Sequence, residues 1–474
     1  MSALRAAATA AFIACTALAH AQEALPPAVS RALAAARIPE SSVAVVVREA
    51  GAQRPLLALN ATAPMNPASV MKLVTTYAAL EQLGIAYRWR TEAYLDGALR
   101  DGVLEGDLVL KGGGDPKLNV ESFWMLLRAL RGKGLREIRG DLVLDRSFFE
   151  HAPGDPARFD GDAFRPYNVL PDALLVNFRS LRFSFLPDAA SGGVRIYAEP
   201  RPPALELVNV LKLADGACPE GRAFRDLLKP TFEPARQRAI FAGRYPSSCG
   251  EKELNVALLE PNDQVGGVLR QLWTEMGGAW GGAVRDGTAP AATQPFYVHE
   301  SPPLGDIVRD LTKFSNNVMA TQLFLTLGAE HSGPPASGAK AAAAIKAWLA
   351  QKGLAAPELV LENGSGLSRI ERISAASLAA LLQAAWRSNV MPEFIASMPV
   401  VAVDGTMKRR NRGDAVAGNA HIKSGLLTDV RAMAGYVLDR AGRRLAVVMF
   451  VNNSAAHQAQ DAFDALLRWL YERA

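Results

Sequence analysis

The chain has 474 residues, 49% of them hydrophobic and 21% charged, a globular balance with enough apolar surface for two or three domains. Lys and Arg number 52 against 47 Asp and Glu, and a formal charge of +5 is too small and dispersed for a nucleic-acid surface, though it suits an anionic polymer.

The N-terminus reads as a charged start (Met1 to Arg5), an apolar run (Ala6 to Ala19) and the small-residue site Ala19-His20-Ala21 ahead of Gln22. That is the layout of a secretory signal removed after Ala21. Cys15 offers a rival reading as a lipid-modified residue, which Phe12-Ile13-Ala14 before it fits poorly. No later run reaches the ~18 apolar residues of a membrane span, so an exported protein with no transmembrane anchor is expected. In an oxidising compartment the remaining cysteines, Cys218 and Cys249, are expected to form a disulfide. Two isolated cysteines without paired histidines do not make a zinc site, and no metal is expected.

Residues 42–48 and 55–60 read as two strands joined by a Gly-containing turn. A helix follows, opened by Pro67 and closed before Gly84, with Val70, Leu73, Val74, Tyr77, Leu80 and Leu83 at helical spacing. Ser69 and Lys72 then share one face, a turn apart. A serine hydroxyl is a weak nucleophile until a neighbour takes its proton, and an amine does that when burial or a second cation keeps it neutral. On its own the pair says little, because on the order of one S-x-x-K is expected by chance in a chain this long. A second, Ser337-Gly338-Ala339-Lys340, reads as the entry to a surface helix.

Between about 89 and 290 the texture changes to short strands, Gly/Pro turns and few long helices. An internal echo, Glu105-Gly106-Asp107-Leu108-Val109-Leu110 and Arg139-Gly140-Asp141-Leu142-Val143-Leu144, suggests two similar strands after Gly-Asp turns. Residues 178–261 are again strand-like and hold both cysteines. From 291 helices return, around Leu304 to Leu327, around Ala339 to Ala350 and after the cap Ser374. Ser315-Asn316-Asn317, the only S-x-N, lies inside the first of these. His421-Ile422-Lys423-Ser424-Gly425-Leu426-Leu427 holds the only K-[S/T]-G and precedes a terminal hairpin (432–438 and 445–451), so it should be a strand at a sheet edge. His421 shares the side of Lys423 if that strand is regular, and so could line a cleft. Strands from both ends of the chain imply an antiparallel sheet flanked by helices.

In the order S-x-x-K, S-x-N, K-[S/T]-G, the three motifs resemble the active-site signature of penicillin-binding proteins and serine β-lactamases. The long gap from Ser69 to Ser315 narrows the resemblance to the class C low-molecular-mass penicillin-binding proteins, the D-Ala-D-Ala carboxypeptidase/endopeptidase family S13. Gly112-Gly113-Gly114-Asp115-Pro116, Tyr167-Asn168, Val176-Asn177-Phe178, Asn363-Gly364-Ser365-Gly366-Leu367-Ser368 and Asp404-Gly405-Thr406 look like that family too. The resemblance implies an α+β transpeptidase-like domain from residues 22–88 and 291–474. It also implies an inserted domain from 89–177 and 262–290, and a second insertion from 178–261.

By that resemblance Ser69 attacks the carbonyl of the penultimate D-Ala and Lys72 takes its proton. Main-chain amides of Ser69 and Leu426 form the oxyanion hole. Ser315, bridged to Lys423, protonates the leaving amine, while Asn317 holds the substrate amide and positions Lys72. Lys423 and Ser424 attract the terminal carboxylate, with Gly425, Leu426 and His421 lining the substrate. Leu426 stands where most relatives carry Ser or Thr, which removes a carboxylate-binding hydroxyl and favours cross-link cleavage. The expected partners are peptidoglycan stem peptides in the periplasm and β-lactams as covalent inhibitors. No cofactor and no nucleic acid are expected, and a homodimer stays open. The alternatives are a catalytically weak peptidoglycan-binding scaffold of the same fold and a β-lactamase.

Overall fold

The computed structural model describes residues 24–151, 154–188 and 190–473. The expected signal and its cleavage site after Ala21 lie outside the described residues. Among those residues no helix is long and apolar enough to cross a membrane.

The architecture is α+β. A five-stranded antiparallel sheet has the spatial order Ala420–Leu427, Val430–Leu438, Arg444–Asn452, Val43–Glu49, Pro55–Leu59. The two ends of the chain meet inside it, with Val43 opposite Val451 and Glu49 opposite Leu445. Both central strands are buried on both faces, so their alternate side chains enter two different cores. Ala44, Val46, Val448 and Phe450 face the layer holding Lys72–Gln82, Leu304–Lys313, Asn317–Ser332 and Ala375–Trp386. Val43, Val45, Val47, Val447 and Met449 face the terminal helices Pro27–Ala35 and Gln460–Glu472.

The stretch 89–290 departs from the sequence reading. Two long helices, Val120–Gly132 and Pro261–Glu275, pack with a seven-stranded sheet. Phe123, Leu126, Leu127 and Leu130, and Val265, Val268, Leu269 and Leu272, recur at helical spacing and are buried. Gly266-Gly267 argues against a helix by propensity, yet a Cβ on Gly266 would lie 2.3 Å from Val284 Cγ2, so close helix–strand packing requires the glycine. The Gly-Asp pair at 106–107 is not a turn either. It lies within the long strand Val103–Gly112, where a Cβ on Gly106 would meet the Asp96 carbonyl at 2.0 Å. The echo is a pairing instead: Leu108, Val109 and Leu110 align in parallel with Leu142, Val143 and Leu144. Asp107 Oδ1 accepts from the Asp141 amide at 2.7 Å.

Residues 181–256 build a further five-stranded and a three-stranded sheet around Phe183, Phe185, Phe224, Phe241 and Tyr245. Cys218 and Cys249 are joined there by the expected disulfide.

Candidate active site

Ser69 sits in a tight turn, Ala68–Met71, that runs directly into the helix Lys72–Gln82. Two glycines allow the close packing around that turn. A Cβ on Gly366, itself at φ +81°, would lie 1.9 Å from the Ala68 carbonyl oxygen. A Cβ on Gly425 would lie 2.8 Å from the Pro67 oxygen and 3.1 Å from the Ser69 nitrogen, so the K-S-G strand passes against the backbone of the serine itself.

Lys72 is fully buried. Its Nζ lies 3.0 Å from Ser69 Oγ and 2.7 Å from Asn317 Oδ1, and it donates to the Ser365 carbonyl oxygen. Asn317 Oδ1 and the Ser365 oxygen can only accept, so they take the two hydrogens of a neutral amine and leave its lone pair facing the Ser69 hydroxyl. Burial pushes the Lys72 pKa well below the ordinary lysine value, the Lys423 charge adds to this, and Glu371 opposes it.

The S-x-N triplet does not lie within one helix. Leu304–Lys313 ends, Ser315 adopts φ +57°, and Asn316 starts a second helix by accepting from the Met319 amide at 3.0 Å. Small polar side chains that compete for backbone hydrogen bonds break an otherwise continuous apolar pattern. The break projects Ser315 toward Lys423, whose buried Nζ donates to Ser315 Oγ at 2.8 Å and to the Ser424 carbonyl at 2.7 Å. Burial brings the Lys423 pKa down to about 7.

Lys423, Ser424 and Gly425 lie on the edge strand Ala420–Leu427. Thr406 Oγ1 lies 3.0 Å from Ser424 Oγ. The Asp404-Gly405-Thr406 turn is in turn held by Lys313, which pairs with Asp404 Oδ2 at 2.5 Å and donates to the Met398 carbonyl at 3.0 Å. One ion pair therefore ties the K-S-G strand to the helix end that carries Ser315.

The structure brings Ser69, Lys72, Ser315, Asn317 and Lys423 together, with Ser424 and Gly425 beside them. A cleft of about 1620 Å³ opens over the group, lined by Ser69, Ser315, Asn317 and the 59% exposed Leu426. Its far wall carries Arg182, Glu199 and Glu253 from the disulfide-bearing unit. His421 departs from the expectation that it faces substrate. It sits about two residues, roughly 7 Å, up the strand, beside the Ile395 carbonyl, and burial with Arg444 and Lys313 nearby keeps its pKa below the usual histidine value. Ser337 caps the helix Gly338–Gln351 by accepting from the Lys340 amide, as the second S-x-x-K suggested. The Ser365 carbonyl, Thr406 and Glu371 were not singled out as site groups. A main-chain acceptor leaves no side-chain signature, and Glu371 is a buried carboxylate in a stretch with no periodicity.

The sequence profile of the D-Ala-D-Ala carboxypeptidase 3 (S13) family matches residues 25–472. The chain belongs to that family. It is 30% identical over 381 residues to a D-alanyl-D-alanine carboxypeptidase of Actinomadura sp. strain R39, covering 78% of this chain and 70% of that protein. It is 24% identical over 420 residues to the D-alanyl-D-alanine carboxypeptidase DacB of Haemophilus influenzae, covering 88% and 86%. The fold matches the crystal structure of penicillin binding protein 4 (dacB) from H. influenzae, with a TM-score of 0.76 at 23% identity over 94% of this chain and 99% of that one. The complex of that protein with a β-lactam matches with a TM-score of 0.73, at 22% identity and the same coverage of both chains.

Proposed function

We propose that this member of the S13 family is an exported serine-type D-alanyl-D-alanine carboxypeptidase that cleaves peptidoglycan stem peptides through a Ser69 acyl-enzyme, with endopeptidase action on cross-links. The observation that carries this reading is the Lys72 amine. It is buried, matched by two pure acceptors and 3.0 Å from Ser69 Oγ. Ser69 Oγ attacks the carbonyl carbon of the penultimate D-Ala as Lys72 takes the hydroxyl proton. The oxyanion is held by the main-chain amides of Ser69 and Leu426, each such donor being worth roughly 10²–10³ in rate. The C–N bond then breaks as the Ser315 hydroxyl gives its proton to the leaving amine. Lys423, bonded to Ser315 at 2.8 Å, replaces that proton. Lys72 then passes its proton through Ser315 to recharge Lys423, and water enters as the second nucleophile with the neutral Lys72 as base again; that proton returns to Ser69 Oγ as the acyl C–O bond breaks and the shortened peptide leaves. Lys423 and Ser424 draw in the substrate's terminal carboxylate. The volume of the cleft and an apolar residue at 426 support endopeptidase action, and the Met1–Ala21 layout supports export to the periplasm.

The test is mass spectrometry after brief exposure to penicillin, then digestion of a D-Ala-D-Ala peptide. One penicilloyl group on Ser69, none on Ser69→Ala, and release of D-Ala are expected. Equal labelling of both proteins sinks the Ser69 assignment. Labelling without D-Ala release would make the chain a scaffold, and rapid loss of the adduct with penicillin hydrolysis would make it a β-lactamase.

A further inference from the structure

The acyl-transfer scheme leaves unused the buried carboxylate that acts on Lys72, that of Glu371. Glu371 is fully buried, and its Oε1 accepts from three successive main-chain amides, those of Glu362 at 3.0 Å, Asn363 at 3.0 Å and Gly364 at 2.8 Å. Its Oε2 is buried without a hydrogen-bond partner. Those amides open the turn that carries two main-chain acceptors into the site. The Gly364 carbonyl accepts from Thr75 Oγ1 at 2.6 Å, and the Ser365 carbonyl accepts from Lys72. Asn363 closes the same turn, accepting from the Ser365 amide at 2.9 Å and donating to the Leu367 carbonyl at 2.8 Å. Burial with one oxygen unpaired pushes the Glu371 pKa above the ordinary carboxylate value, while the three amide donors and Lys72 act the other way and favour the charged form. Holding a turn in shape does not need it, because a neutral acceptor would serve the same amides.

We propose that Glu371 is a positioning residue for acyl transfer: it clamps the 362–364 amides so that the Ser365 carbonyl meets Lys72, and its charge balances that of Lys423 across Lys72. This rests on the reading of Ser69 as nucleophile and Lys72 as its base. The charged groups facing Lys72 are Lys423 from the edge strand and Glu371 from the loop, while Asn317 and the Ser365 carbonyl bring no net charge. With Lys423 alone the amine would stay neutral but become a poor base. With Glu371 alone it would hold its proton and could not accept another. The two together leave an amine that is neutral and still basic enough to pull the Ser69 proton.

The test is the pH dependence of the second-order acylation rate with a fluorescent penicillin, from about pH 5 to about pH 9, per folded molecule. Removing the negative charge lowers Lys72's affinity for a proton. Glu371→Gln should therefore move the acid limb of the profile to lower pH by about one unit and lower the plateau about tenfold. Glu371→Asp keeps the charge and draws it back from the amides, so its plateau should fall while the acid limb stays at the wild-type pH. Thr75→Val frees the same turn without touching a charge and should behave like Glu371→Asp. An acid limb of Glu371→Gln superimposed on the wild type, with only the melting temperature lowered, overturns the proposal. Should Glu371→Gln not fold, a full wild-type plateau in Glu371→Asp overturns it instead. Failure of the wild type to label on Ser69 would sink the acyl-transfer reading, whereas normal labelling with an unmoved limb sinks only this inference.

Discussion

Leu426 is where residue chemistry bears most directly on substrate choice. It sits opposite Arg431 in the register of the edge hairpin, 59% exposed, two positions beyond Ser424 on the same face. An apolar side chain there gives a carboxylate nothing to bond, so in the proposed mechanism recognition of a free C-terminus falls to Lys423 and Ser424. One added hydroxyl donating to a carboxylate is worth about 1.5 kcal/mol, or roughly tenfold. Leu426→Thr should therefore raise kcat/KM for a D-Ala-D-Ala peptide about tenfold, and change little for a cross-linked dimer whose scissile amide has no adjacent free carboxylate. Equal changes on the two substrates would show that 426 does not discriminate between them. At this scale the sequence was legible where chemistry needs a side chain. Ser69, Lys72, Ser315, Asn317 and Lys423 stand in three short motifs, and in the folded chain hydrogen bonds join Ser69, Lys72 and Asn317 in one group and Ser315 and Lys423 in another. It was opaque at the Ser365 carbonyl, since any residue offers one, and misleading at His421, whose strand alternation gives a side but not a neighbour.

At the scale of elements, the placing of Ser69, the proposed nucleophile, depends on how tightly three segments converge on the turn Ala68–Met71. The helix contributes Lys72, the edge strand contributes Gly425, and the loop 362–371 contributes Gly366. Gly366→Ala places a methyl group where the Ala68 carbonyl already lies, at 1.9 Å, so the loop must retreat by more than an ångström. That withdraws the Ser365 carbonyl from Lys72, and misplacement of this size costs on the order of 10²-fold in rate. The expected result is acylation at least about a hundredfold slower per folded molecule. Gly84→Ala serves as a control: at φ +84° but with nothing within 4 Å, it should cost about 1 kcal/mol of stability and leave the acylation rate alone. A rate in Gly366→Ala near wild type would show that the loop can yield without consequence. Strands at both ends of the chain, the serine helix and the Ser374-capped helix were readable because periodicity and capping agree with tertiary contacts. The helix break at Ser315 and the glycine-bearing helix Pro261–Glu275 were not, because in each the local preference competes with a close contact formed only on folding.

Across the whole molecule, the core around Phe183, Phe185 and Phe241 is separate from the one beneath Ser69, yet both units face one cleft. Cys218 and Cys249 fall 31 residues apart inside the former, and a loop of that length is held at about 4 kcal/mol by its cross-link in the chain-entropy account. The catalytic groups and the Lys72 helix make no use of that core. A small penicillin needs only Ser69 and its immediate surroundings. On the proposed endopeptidase reading, a cross-linked dimer would extend along the cleft toward Arg182, Glu199 and Glu253, all on strands of the disulfide-bearing unit. The paired change Cys218→Ser with Cys249→Ser should therefore speed hydrogen exchange in the strands Leu181–Asp188 and Lys252–Val256 and raise KM for the dimer several-fold. Penicillin acylation should stay within about twofold of wild type, the scatter expected for sites more than 7–10 Å apart that share no partners. Acylation falling in step with dimer cleavage would show instead that the inserted unit holds the catalytic groups in place, and that the cleft's far wall acts on the reaction rather than on the length of the substrate.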